Sequence, residues 1–472
     1  MSDTIINSLK AIAGAENVLT GAATAPYCHD RRGRYTGKAL AVVLPTDTLQ
    51  VSAVVALCAQ HNIAITPQGG NTSLCGASVP LAGERALAGE GQIVVNLSRM
   101  NRICGLDALN YTITVEAGCT LAQVREAAEK SNRLFPLMLP AGQECEIGGN
   151  LSTNAGGINV LRYGTMRDLA LGLEVVLPDG RIWNGLRVLR KDNSGYDLKQ
   201  LFIGAEGTLG IITAATLKLF PRPQAVATAC VGLRDPAAAV KLFAHLRAVC
   251  GDRISAFEFF GRTCLDLVLR HIPGAQEPFT RRHEWLAVID LSDVLDVPLD
   301  KSLHAALEGF SGDIEKFAVT IDREQAESWW KLRYGISDAQ KLEGISIKHD
   351  ISVPVSRVAE FIAQADAALH SAYPGVRIAS FGHIGDGNIH YNASMPDPAQ
   401  NKVFIERHER DINRIVYDLV AKSGGSISAE HGVGQLKRDL IPYYKSEVEL
   451  EMMRSIKRVL DPRGLMNPGK VI

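Results

Sequence analysis

The 472-residue chain lacks any run of about 18 uncharged apolar residues, the length that a helical membrane span needs. It lacks an excess of either charge. The formal net charge is -1 and Lys and Arg are dispersed, which argues against a basic surface for nucleic acid or acidic membranes. The short cluster Arg31, Arg32, Arg34 reads as a solvated loop. Nine cysteines fall between Cys28 and Cys264 without one Cys-x-x-Cys pair, so reduced thiols are expected and an iron–sulfur cluster is not. Cys75, inside a candidate ligand loop, reads as a small hydrophobe. The opening residues, Met-Ser-Asp-Thr-Ile-Ile, carry an acid and no long apolar run, so no secretory or transit signal is visible and a cytoplasmic location is the expectation. No Gly-x-Gly-x-x-Gly follows a strand, which removes support for a nicotinamide-type Rossmann site.

What is present begins with 46% apolar and 21% charged residues, ordinary for a soluble globular protein with a core. The length suggests about three domains. Ala39–Leu44 reads as a strand, Thr46-Asp47 as a cap, 51–61 as an amphipathic helix and Ile63–Thr66 as the next strand. Residues 171–177 and 181–184 form a hairpin through Pro178-Asp179-Gly180, and a strand runs from Ile211 to Leu219. The pattern changes character near Pro221-Arg222-Pro223.

The densest chemistry lies in Phe381–Asn392, Phe-Gly-His-Ile-Gly-Asp-Gly-Asn-Ile-His-Tyr-Asn, and in Ser428-Ala429-Glu430-His431-Gly432-Val433-Gly434. His383 and His390 flank Gly385-Asp386-Gly387-Asn388, whose residues suit a tight turn, so the imidazoles lie near each other. With Glu430 they give two imidazoles and a carboxylate, the three-ligand pattern of a catalytic zinc or another divalent ion. His431, next to Glu430, is a candidate base. Asn392 shares a strand face with His390. Hairpin histidines satisfied by carbonyls are the bland alternative; the Gly/Ser-rich surroundings of Glu430 favour a site.

Two glycine-rich regions complete the inventory. Pro67-Gln68-Gly69-Gly70-Asn71-Thr72-Ser73-Leu74 follows a strand and offers backbone N–H groups and hydroxyls suited to a phosphate or pyrophosphate. Pro140-Ala141-Gly142 and Gly148-Gly149-Asn150-Leu151-Ser152-Thr153-Asn154-Ala155-Gly156-Gly157 are so depleted in bulk that a flat ligand could lie on the backbone, with Ser152, Thr153 and Asn154 as donors. Ile203–Ile212, containing Glu206, Gly207, Gly210, Ile211 and Ile212, gives another approach of small residues.

These three loops resemble the flavin-binding domain of the vanillyl-alcohol oxidase or para-cresol methylhydroxylase (PCMH) superfamily. Phe381–Asn392, Glu430–Gly434 and the closing Leu460–Lys470, which includes Asn467, resemble its metal-dependent D-2-hydroxyacid dehydrogenase branch, which acts on substrates such as D-2-hydroxyglutarate, D-lactate and glycolate. The likeness runs from about Ala39 to the C-terminus. It implies an α+β fold: an N-terminal helical segment, 1–38; a PCMH-type FAD-binding domain of two subdomains, 39–221; a ferredoxin-like α+β substrate and metal domain, 222–423; and a segment returning to the flavin, 424–472. FAD would contact the loops named above and Asn467, with its pyrophosphate on Pro67–Leu74. That loop has no histidine, so non-covalent FAD is expected.

Arg333 and Ser337 lie four apart on a helical stretch, and Lys348 follows in a strand. A similar Arg, hydroxyl and Lys hold the substrate carboxylates in the hydroxyglutarate-oxidising relatives, which usually have Thr where this chain has Ser337. The resemblance therefore implies oxidation of D-2-hydroxyglutarate to 2-oxoglutarate, with Arg333, Ser337, Lys348, Asn392 and His431 at the substrate, a metal on His383, His390 and Glu430, and hydride passing to the flavin. Electrons would leave to an external acceptor, an electron-transfer flavoprotein or a quinone, and a homodimer is compatible with the family. A D-lactate or D-malate dehydrogenase and a non-catalytic flavin-binding subunit are the alternatives, separable by which hydroxyacid, if any, bleaches the flavin.

Overall fold

The structure, a computed structural model, describes residues 2–82, 91–310 and 312–472. The chain forms two compact units: Met1–Gly156 with Gly164–Arg222 and Glu430–Ile472, and Gly157–Tyr163 with Pro223–Ala429.

In the first unit, helix Thr48–Gln60 starts where the Asp47 side chain accepts the Gln50 N–H, and it buries Val51, Val54, Val55 and Cys58. It covers a four-stranded sheet ordered Val18–Leu19, Val42–Val43, Gln92–Asn96, Ala64–Gln68, whose last three strands are parallel. The strand expected over Ala39–Leu44 is shortened to Val42–Val43. The next one runs on to Gln68, so Pro67 and Gln68, expected in the loop, belong to the strand. Proline is tolerated there because the strand lies at the end of the sheet order. Helix Ser2–Ala13 corrects the expected separate segment 1–38: Ile5, Leu9 and Ala13 join the core formed by Val51, Val54 and Ile93. A second, five-stranded sheet is antiparallel throughout, in the order 103–107, 112–116, 211–218, 170–176, 182–185, and contains the expected hairpin through Pro178–Gly180.

The second unit is built on a seven-stranded antiparallel sheet ordered 314–320, 225–233, 285–293, 254–261, 377–383, 388–394, 347–352. Every residue of strand Ile254–Gly261 is buried, because both faces are covered and side chains alternate between them. Phe257 meets Phe243 of helix Pro236–Cys250 on one side. Ala256 and Phe260, on the other, pack with Leu265 and Val268 of helix Arg262–His271 and with Trp330 and Ile336 of helix Arg323–Glu343. Two boundaries differ from expectation. Gly157–Tyr163 joins this unit, where Arg162 donates to the Ser292 carbonyl at 2.6 Å. The unit also extends to Ala429, because Ser426 pairs with Ser352. No helix among the described residues is long and apolar enough to cross a membrane.

Candidate functional site

In the second unit, strands Arg377–His383 and Asn388–Ser394 form the expected hairpin, with Phe381 opposite His390 and His383 opposite Asn388. Gly387 is required in the turn: its φ is +76°, and a Cβ would lie 2.0 Å from the Val353 carbonyl. The turn brings the His383 and His390 rings to a centroid separation of 5.7 Å, edge to face.

Each imidazole is backed by a buried carboxylate. His383 Nδ1 lies 2.5 Å from Glu258 Oε1, and because a carboxylate only accepts, the neutral ring carries its proton on Nδ1 and its lone pair on Nε2. Asp350, paired with His390 across the sheet, has Oδ1 3.8 Å from His390 Nδ1 and accepts from Asn388 Nδ2 at 3.0 Å. The Ala429 N–H bonds to the Asp350 carbonyl at 3.2 Å, and the next two residues in the chain are Glu430 and His431. Among the described residues of this unit, His383 and Asp350 each place a possible metal-ligand atom within 4.8 Å of one on His390.

Glu258 Oε2 accepts from Arg333 Nε at 2.7 Å, and the Arg333 guanidinium lies 4.9 Å over the Phe381 ring. Burial pushes the Glu258 carboxyl up, but His383 and Arg333 outweigh it and hold the group below its ordinary value. Breaking a buried pair of this kind by removing one partner costs about 3–5 kcal/mol. Ser337, one turn after Arg333, is exposed. Lys348 is half-buried opposite Asn392, whose Nδ2 donates to Gln340 Oε1 at 2.8 Å.

In the first unit, the loop after Gln68 is braced internally. Gly70 cannot carry a Cβ, which would lie 1.9 Å from the Glu144 carbonyl. Asn71 donates to the His29 carbonyl at 2.8 Å, and Ser73 Oγ accepts the Cys75 N–H at 3.3 Å. Thr72 and Leu74 are half-buried. The run from Gly148 begins as a short helix, Ile147–Ser152. Its hydroxyls turn inward, Ser152 Oγ donating to the Gly148 carbonyl and Thr153 Oγ1 to the Gly149 carbonyl, the local bond that Ser and Thr make one turn back. Asn154 Oδ1 accepts the Arg167 N–H. Ser152 and Thr153 thus spend their hydroxyl protons within the chain and keep acceptor capacity, whereas Asn154 engages its oxygen and not its Nδ2 donors. Pro140 and Gly142 lie in a loop, Gly156 and Gly157 are buried at the unit boundary, and Ile211 and Ile212 are core residues opening a strand beside buried Gly210.

Glu206, at φ +51°, accepts from the Val433 and Gly434 N–H groups at 2.6 and 2.8 Å, tying down the segment after His431. Gly207 packs on Pro67. Asn467 Nδ2 bonds the carbonyls of Glu206 and Ala77 at 2.6 and 3.0 Å.

Residues 222–471 match the family described as FAD linked oxidases, C-terminal domain, and residues 39–185 match FAD binding domain. The chain is 37% identical over 447 residues to D-2-hydroxyglutarate dehydrogenase of Xanthomonas citri pv. viticola, covering 94% of this chain and 92% of that one. It is 37% identical to the mitochondrial zebrafish (Danio rerio) protein of that name, over 92% of this chain and 79% of that one. The chain belongs to the FAD-dependent D-2-hydroxyacid dehydrogenases. It is thus an oxidoreductase that uses FAD to oxidise the CH–OH group of a small D-2-hydroxy acid. Its fold is that of 4-ethylphenol oxidase from Gulosibacter chungangensis (TM-score 0.77, 18% identity, 99% of this chain and 96% of that one) and of p-cresol methylhydroxylase (0.74, 20%, 99% and 96%).

The residues of this dehydrogenase fit its flavin. A Cβ at Gly149 would meet nothing within 4 Å, so the helix leaves backbone open to a ligand. Thr66 Oγ1, Glu146 Oε2, Asn467 Oδ1 and Lys470 Nζ are buried with no hydrogen-bond partner, a donor and acceptor set suited to a polar cofactor. Burial pushes the Glu146 carboxyl up to about 8; burial, opposed by Glu206, takes the Lys470 amine down to about 7. The sequence reading missed Glu146, Lys470, Gln340, Asp350 and above all Glu258. Glu258 had a signal: it interrupts Ala256-Phe257-Glu258-Phe259-Phe260, and an acid inside an apolar strand must find a partner.

Proposed function

We propose that the chain oxidises D-2-hydroxyglutarate to 2-oxoglutarate with the help of a divalent metal ion, zinc or a similar cation, held by His383, His390 and Glu430. The observation that carries this reading is the hairpin. Glu258 fixes the His383 proton on Nδ1, which turns the Nε2 lone pair to ligand duty, the usual carboxylate–histidine arrangement behind a metal. When bound, the metal lowers the pKa of a coordinated hydroxyl and polarises the adjacent carboxylate. FAD, when bound, supplies the hydride acceptor.

The chain's own groups do the rest. His431, neutral, takes the proton from the substrate 2-hydroxyl. Arg333 and Asn392 orient the 1-carboxylate, with the Asn392 amide held by Gln340. Lys348, opposite Asn392, meets the distal carboxylate together with the Ser337 hydroxyl. Two cationic side chains suit a dianion: D-lactate has no second carboxylate for Lys348, and D-malate, a dianion one carbon shorter, differs from D-2-hydroxyglutarate in reach. Electrons leave to an external acceptor, an electron-transfer flavoprotein or quinone. A 34% identical yeast (Saccharomyces cerevisiae) relative is named D-2-hydroxyglutarate–pyruvate transhydrogenase, which makes a 2-oxo acid the second acceptor class to assay.

Anaerobic flavin bleaching with a panel of D-2-hydroxyacids tests the reading. D-2-Hydroxyglutarate is expected to reduce the flavin fastest, and chelation of the metal to stop reduction while FAD stays bound. Faster bleaching by D-lactate, or full activity after metal removal, would overturn it.

A further inference from the structure

Glu258 stands in the middle of strand Ile254–Gly261, paired on one side with Val288 and on the other with His383, and its side chain is wholly shielded from solvent. Its two oxygens are divided between two partners: Oε1 accepts from His383 Nδ1 at 2.5 Å, and Oε2 accepts from Arg333 Nε at 2.7 Å. We propose that Glu258 is the positioning residue that couples the metal and substrate halves of the site, setting the tautomer of a metal histidine and the pose of the carboxylate-binding arginine through one carboxylate. This rests on the metal reading above.

The coupling follows from the donor and acceptor inventory. A carboxylate accepts at both oxygens, so it can hold an imidazole N–H and a guanidinium N–H at once. Arg333 spends Nε on Glu258 and keeps the other nitrogens of its fork, with Phe381 beneath the guanidinium, for a further carboxylate. A cation on the far nitrogen of His383 would draw Glu258 towards the ring and loosen its hold on Arg333. By linkage the effect is reciprocal: what neutralises Glu258 from the arginine side weakens its support of the metal.

Glu258→Gln separates this role from simple packing, because the amide keeps the shape but has one acceptor and one donor end. With its oxygen on Arg333, its NH₂ faces His383 and forces the ring proton onto Nε2, which then cannot ligate. Turned over, the NH₂ opposes the Arg333 N–H. Sharing between the two poses should cost both partners. The expected result is a fall of about 10–100-fold in Zn²⁺ affinity of the purified flavoprotein, read by chelator competition, together with a KM for D-2-hydroxyglutarate raised at least about tenfold, a discrimination of the size that one charged hydrogen bond provides. FAD per chain should stay at the wild-type value. Unchanged Zn²⁺ affinity and KM, or a loss confined to one of them, would overturn the coupling. If the variant does not fold, Arg333→Met carries the test: with its cation gone, Glu258 should bind the ion more tightly through His383, and an equal or weaker Zn²⁺ affinity would overturn the proposal. His383→Ala separates the two readings, since wild-type Zn²⁺ affinity in that variant would sink the metal assignment itself and leave Glu258 to be judged on Arg333 and KM.

Discussion

Glu206 in the first unit and Glu258 in the second are both buried and fully bonded, but by different donors. Glu206 is met by the backbone N–H groups of Val433 and Gly434, and Glu258 by the side chains of His383 and Arg333. Burial dominates the first, whose carboxyl is raised although the two N–H groups, Lys437 and Lys470 oppose it. In the second, burial is outweighed by the two bonded partners, His383 and Arg333, and the carboxyl is lowered. The two N–H groups and two lysines near Glu206 do not offset its burial, whereas the bonded His383 and Arg333 more than offset that of Glu258. The first unit thus uses its acid to fix where a segment runs, and the second uses its acid to fix where functional groups point.

The largest expected effect tests whether chemistry follows that division. His431→Ala, in the segment that Glu206 ties down, should lower kcat by about 10²–10⁴-fold, the usual contribution of a positioned base, with FAD and metal contents unchanged. Stopped-flow flavin reduction close to the wild-type rate would show that proton removal needs no base here; loss of metal would make His431 a ligand. In the second unit, Lys348→Met should lower kcat/KM for D-2-hydroxyglutarate by roughly 10–150-fold, the worth of a hydrogen bond to a charged group, and hardly touch D-lactate. Equal losses on both substrates would remove Lys348 from the distal carboxylate.

A smaller effect is expected for Glu206→Gln, which leaves one of two backbone donors without an acceptor. The cost, about 1–3 kcal/mol, should appear as a lower unfolding midpoint, and an unchanged midpoint would mean that the Val433 or Gly434 N–H finds another partner. The smallest concerns Glu146, which has no partner for Oε2 and a carboxyl pushed up to about 8 by burial. A folded value above the unfolded one means that its stabilising contribution is complete below about 4.5 and is lost as pH rises towards 8. Glu146→Gln should therefore flatten the decline of thermal stability across that window; parallel curves for variant and wild type would show that Glu146 ionises without cost.

Local chemistry made much of this legible. The His383–His390 hairpin was readable because Gly-Asp-Gly-Asn encodes its own turn, and helix Thr48–Gln60 because Asp47 announces it. Segments whose fate depends on distant partners were not. Pro67-Gln68 looked like the start of a loop, yet pairing with Val95 and Asn96 keeps it in the sheet. The small residues after Gly148 are readable as a surface poor in bulk but not as the short helix Ile147–Ser152, which forms because the chain can close on itself where little bulk opposes it. Glu258 lies far in sequence from both its partners, and only the strand order of the second unit explains why an acid is stable among phenylalanines.

The first unit is closed by a contact across nearly the whole chain. The Ile65 N–H bonds to the Leu465 carbonyl, the Asn467 N–H returns to the Ile65 carbonyl, and Asn467 Nδ2 reaches Ala77, 390 positions away. On the ribosome the edge strand Ala64–Gln68 must therefore wait, unpaired on that side, while the entire second unit is made. Such long-range closure is slow and leaves a strand edge open to other chains in the meantime. Deleting Leu465–Asn467 would strip that edge of its seal and leave Ala64–Gln68 open to pairing with other chains.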